Sequence, residues 1–203
     1  MITHNGVMTG QGSPSRSWIH RRWVPWLAGA LAFGLTFLVG GALVADWASR
    51  VAQMQALLDR VEASEAVMGK LQDDVAEAFE DHGGEDNEKL DGELRALATQ
   101  AQIDIAQAGE SVADLPIAVW HVDLERARDA YLLHNIAWQE YMARASESSS
   151  EFLAPQPDVN QTFFDAQQPF IDAIPEPDTA GLIDRVIAIF APPEGSSSEG
   201  MQT

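Results

Sequence analysis

The chain contains no cysteine. That excludes disulfides, thiolate metal sites, covalent haem attachment, cysteine nucleophiles and a lipid-modified cysteine, and leaves packing as the source of stability. Lysine is scarce as well: two lysines stand against ten arginines in an alanine-rich chain, a bias common in GC-rich bacterial genomes. Catalytic patterns are equally thin. There is no G-x-S-x-G, and serines gather from Ser146 to Ser150 and from Ser196 to Ser198, where flexible linkers put them. The glycines form no phosphate-binding loop.

Metal sites fare no better. A di-iron bundle needs Glu three residues before His, but Phe79, Ala118 and Tyr131 precede His82, His121 and His134. His121 and His134 are thirteen apart, about 220° around a helix, so they cannot clamp one ion from one face. The acids Glu80, Asp81, Glu85 and Asp86 do not follow the calcium-loop order from either Asp81 or Asp86. The expectation is therefore no catalytic residue, no metal and no cofactor.

What the chain does have is an uneven charge. Residues 1–45 contain Arg16, Arg21 and Arg22 and no acid, a net of +3. From Asp46 onward nine basic residues face thirty-one acidic ones, a net of −22. A domain so acidic repels nucleic acid and favours partners with a basic face.

From Trp23 to Ala45 the chain runs twenty-three residues without a charge. A bilayer core about 30 Å thick needs about 20 helical residues, so the segment is expected to span a membrane once. His20, Arg21 and Arg22 precede it and Asp46 follows, which puts the N-terminus in the cytoplasm and the remainder outside. Trp18, Trp23, Trp26 and Trp47 flank it, and Arg21, Arg22, Trp23, Trp26 and Trp47 are the expected membrane-interface anchors. Gly40, Gly41 and Ala42 supply residues a signal peptidase accepts, so cleavage is the competing reading. The length of the apolar run, and an amphipathic pattern continuing to Gly69, favour a retained anchor. Ala30, Gly34 and Gly41 fall on one helical face and form the expected packing face toward a partner helix.

Beyond the span, Val51, Met54, Leu58, Val61, Met68, Val75 and Phe79 predict a long helix, with Glu65 and Gln72 as polar interruptions of its stripe. After a turn at 82–87, Leu90, Leu94, Leu97, Ala101, Ile105 and Ala108 predict a second helix ending at Gly109. Trp120, Leu124, Ala127, Tyr131, His134, Trp138, Tyr141 and Ala145 predict a third with a bulky aromatic face, although 117–120 fits an extended run equally. A linker spans Ser146–Ser150 and Pro155–Pro157, and a shorter helix with Phe163, Phe164, Phe170, Ile171 and Ile174 follows it. Asp178 and Thr179 resemble a cap for a last helix over Leu182–Phe190.

The fold class is thus mainly α: one N-terminal transmembrane helix continuing into an extracytoplasmic bundle of about four to five helices. Its parts are a disordered cytoplasmic segment 1–22, the span 23–45, an acidic helical domain 46–190 and a disordered tail 191–203.

Two functions fit. The first is a non-enzymatic accessory or scaffold subunit of a membrane or envelope complex in the plasma membrane. It would contact lipid through its span and a partner complex through its acidic bundle; a respiratory-chain assembly with a basic electron carrier has the complementary charge. The second is a membrane-anchored ligand-binding or sensory domain, with Trp120, Tyr131, His134 and Trp138 around a pocket.

Overall fold

The computed structural model describes residues 20–82 and 88–191, with side chains from residue 38 onward within those ranges. The expectations for residues 1–19, for the turn at 83–87 and for the tail from 192 lie outside them. The chain divides into two units, Met1–Asp46 and Trp47–Thr203.

Five α-helices are described: α1 His20–Asp81, α2 Glu88–Ala113, α3 Val122–Glu147, α4 Pro157–Ala173 and α5 Leu182–Ile189, with a short 3-10 helix at Ser149–Leu153. No strand occurs among the described residues. Among the described residues no helix is long and apolar enough to cross a membrane. The expected span at 23–45 falls largely on the part of α1 whose side chains lie outside the description.

In the second unit α1, α2, α3 and α4 alternate in direction, as three successive core clusters show. At the end beginning with Trp47, Met54, Leu57, Leu58 and Val61 of α1 meet Val112, Leu124, Tyr131 and Phe170, with Leu182 and Val186 of α5 and Phe190 just after it closing that layer. In the middle, Met68 and Leu71 meet Ala98, Ala101, Ile105, Trp138, Tyr141 and Met142. At the far end Ala78 meets Leu90 and Leu94. The three-and-four spacing of apolar residues sets this arrangement, since each helix can bury one stripe only against its neighbours. α3 lies between α2 and α4 and supplies the aromatic face expected of it.

Several boundaries differ from the sequence expectation. α2 does not stop at Gly109; it runs four residues further, with Gly109 buried inside it. The glycine is there because α3 passes close, as described below. α3 starts at Val122, so Trp120 precedes the helix rather than joining its face. The Ser146–Ser150 linker is shorter than expected, because α3 persists to Glu147 and the 3-10 helix begins at Ser149. Phe164 and Ile171, part of the apolar pattern of the shorter helix, are exposed on α4. Gly181, at φ 68°, holds the N-cap position rather than Asp178 or Thr179, but the Asp178 carboxylate accepts from the backbone N–H groups of Leu182 and Ile183 at 3.0 and 2.9 Å. α5 is accordingly a helix, and that acceptor role holds the Asp178 carboxyl below its usual range.

Candidate functional site

One group of polar side chains in the bundle interior gathers around His134. Its imidazole is buried, and its two nitrogens have fixed roles. The Trp138 indole N–H can only donate, and it lies 3.0 Å from Nε2, so Nε2 is the acceptor. The Val159 carbonyl can only accept, and it lies 3.1 Å from Nδ1, so Nδ1 carries the proton. His134 is thus a neutral tautomer with both nitrogens occupied. Burial pushes its pKa down to about 4, against a smaller opposing effect of the Val159 carbonyl. Glu65 Oε1 approaches Nε2 to 3.7 Å, but with a neutral imidazole this is no ion pair.

Glu65 belongs to the same cluster. The buried Tyr131 hydroxyl donates to Glu65 Oε1 at 2.7 Å, and burial raises the Glu65 carboxyl above its ordinary value while the tyrosine bond lowers it. Burial beside that carboxylate also raises the Tyr131 hydroxyl. The polar interruption of the α1 stripe is therefore an inward-facing group that ties α1 to α3. Chemically the cluster offers little: His134 has no free nitrogen for a proton or a metal, and Glu65 is engaged by a phenol. Among the described residues no three His, Asp or Glu side chains gather as a metal site.

The aromatic residues expected around a pocket do not share one. Tyr131 and His134 are core residues, and Trp120 stands exposed on a turn before α3. Trp138 lines a hollow of about 180 Å³ together with Tyr141 and Phe152. That volume is below the roughly 300 Å³ at which drug-sized ligand sites begin. Two wider depressions, of about 310 and 350 Å³, have mixed linings, Arg60 and Asp104 standing beside Ala63 and Val67 in one and Glu62 and Glu65 beside Ala188 and Ile189 in the other.

The expected membrane residues are placed as follows. Arg21, Arg22, Trp23, Trp26, Ala30 and Gly34 lie in α1, with side chains outside the description. Gly41 is exposed, and a β-carbon there would meet nothing within 4 Å. Trp47 is half-buried, its indole nitrogen enclosed without an acceptor among the described residues.

One arrangement had no counterpart in the sequence reading. Ala118–His121 form a tight turn closed by the His121 N–H donating to the Ala118 carbonyl at 2.8 Å. Gln53 Oε1 on α1 accepts from both of its ends, from Ala118 N–H at 3.1 Å and from His121 Nδ1 at 2.8 Å. Val119 and Trp120 at the tip are 76% and 67% exposed, and Val122 just beyond is 54% exposed. By sequence the run Ile117–Trp120 fits a helix or an extended chain; in the fold it leads into this turn.

No protein-family model, curated protein or solved structure matches the chain.

Proposed function

We propose that this chain is a non-enzymatic accessory or scaffold subunit of a larger membrane or envelope complex. Residues 23–45 anchor it in the plasma membrane, the N-terminus is cytoplasmic, and the acidic bundle stands outside and docks a partner with a basic face. A respiratory-chain assembly has the complementary charge. The observation that carries the reading is the twenty-three-residue uncharged run between the Arg21–Arg22 pair and Asp46, with +3 before that acid and −22 from it onward.

Further support comes from the described end of that run. Leu38, Val39, Leu43 and Val44 are each more than half exposed, as side chains facing acyl chains are. Open space around Gly40 and Gly41 suits close approach of a second helix. The filled core and the small hollow beside Trp138 favour docking through a surface over enclosing a ligand.

The test has two arms. Native membranes are extracted with alkaline carbonate, and the anchor reading expects the protein to stay in the pellet; release into the supernatant overturns it. The tagged protein is then purified in mild detergent at low and high salt, and its companions are identified by mass spectrometry. A defined complex recovered in stoichiometric amount, loosened by Gly34→Leu or Gly41→Leu, supports the subunit reading. Recovery of the protein alone at both salts overturns it.

A further inference from the structure

We propose that the Ala118–His121 turn is a second membrane contact: its Val119–Trp120 tip, with Val122, seats the bundle on the outer headgroup layer. The inference rests on the membrane anchor proposed above and adds a second point of attachment to it.

The residues at the tip are unusual for a tight turn. Tight turns favour glycine, proline, asparagine, aspartate and serine at their centre, because those residues suit the backbone and welcome water. Here the two central positions are valine and tryptophan, both largely exposed. The Trp120 ring meets the His121 ring edge-on at 5.8 Å and still leaves two thirds of its surface to solvent. An indole with an apolar body and a polar edge is the side chain that favours the headgroup region of a bilayer.

The turn is also held firmly. Gln53 accepts hydrogen bonds from both of its ends, and His121 is buried beneath it, so ordering the tip costs little when it meets a surface.

Location supplies the occupant. Gln53 is six residues along α1 from Trp47, about 9 Å at 1.5 Å per helical residue. The turn therefore packs on the part of α1 through which the chain enters the second unit from the uncharged segment. Arg50, one turn before Gln53, pairs with Asp123 at 3.2 Å, and Arg126 pairs with the same carboxylate at 3.1 Å. The acid closest to the tip in sequence is thus neutralised, which lowers its hydration cost near lipid. Asp114 and Glu125 remain as the flanking acids, so the surface that fits best is zwitterionic.

The absence of cysteine gives a direct experiment. Single cysteines are introduced in the full chain at Val119→Cys and, as control, at Leu153→Cys. Leu153 is also 76% exposed but lies in the 3-10 helix, where Ser149 bonds Asp91 at the start of α2, at the far end of the bundle. Both proteins are labelled with an environment-sensitive fluorophore and reconstituted into phosphatidylcholine vesicles carrying nitroxides at headgroup depth in both leaflets. The 119 label is expected to shift to the blue and lose fluorescence to the nitroxides, while the 153 label does neither. Equal behaviour at the two sites, or no quenching at 119 in vesicles from which carbonate fails to extract the protein, overturns the second contact and leaves the anchor standing. Release by carbonate overturns the anchor and this inference with it.

Discussion

Asn135 on α3 lies directly across Gly109 on α2, so close that the glycine has no room for a β-carbon. The asparagine is fixed in place: its Nδ2 donates to the Ile105 carbonyl at 3.0 Å and its Oδ1 accepts from Gln139 at 2.7 Å. The pair sets how near α2 and α3 approach, and it explains a buried glycine inside a helix that would otherwise favour alanine.

Gly109→Ala is therefore expected to destabilise the bundle by about 1–2 kcal/mol, the cost of overpacking exceeding the gain in helix propensity. Gly92→Ala on the same helix is the control, since a β-carbon there meets nothing within 4 Å. It is expected to stabilise by about 0.5–1 kcal/mol. Urea unfolding of both variants, read as a shift in midpoint with unchanged slope, checks the opposite signs.

The same contact marks how much the sequence could reveal. Helix number, helix order and most of the core stripe were legible because apolar residues recur every three or four positions, as Met54, Leu58, Val61 and Met68 do on α1. The Asp178 carboxylate's role was legible because its chemistry is local. Gly109 was not, because a glycine closes a helix or lets a neighbour in, and the difference lies on another helix. Glu65 reads only as a polar interruption of the stripe for the same reason, its partner Tyr131 being sixty-six residues away. Gln53 gave no signal at all: its role depends on a turn that only the folded bundle brings to it.

Arg185 joins α5 to α1 by a fork, its Nε and Nη2 donating to Glu62 at 2.6 and 2.7 Å and its Nη2 donating to Asp59 at 2.6 Å. That fork is what lowers the Glu62 carboxyl. Lysine cannot reproduce the two-pronged geometry. Because the pairing is at the surface, Arg185→Lys is expected to cost less than about 1 kcal/mol, and the loss should shrink in high salt. A thermal midpoint independent of salt would contradict this assignment.

Tyr131→Phe removes the hydrogen bond to a partly buried carboxylate and is expected to cost about 2 kcal/mol, the range for a bond to a charged acceptor. Glu65→Gln keeps an acceptor for the phenol and removes the charge. Burial raises the Glu65 pKa in the fold, so its contribution is greatest below the unfolded carboxyl value and is lost as pH rises through the folded one. The glutamine variant should then be at least as stable as the parent at neutral pH and show no advantage in acid. A double-mutant cycle with Tyr131→Phe, run at both pH values, separates the bond from the charge.

His134 gives the opposite slope. Its folded pKa, about 4, lies below the ordinary value of 6.5, so between those limits the unfolded chain binds a proton that the folded chain refuses. Stability from the buried neutral imidazole is complete above about pH 6.5 and declines as pH falls toward 4, by about 3 kcal/mol at 1.36 kcal/mol per unit. Glu62, Asp91 and Asp178, whose carboxyls are held low, lose their contributions further into acid, as pH falls from the ordinary carboxylate value through the lowered one. Glu65 opposes the histidine over part of the window, so the measurement is made in the Glu65→Gln background. Unfolding free energy followed from pH 7 to 4.5 should fall steadily there, and His134→Phe should flatten the curve even though it leaves the Trp138 indole without its acceptor. A slope that survives the substitution would place the titrating group elsewhere and return His134 to a packing role alone.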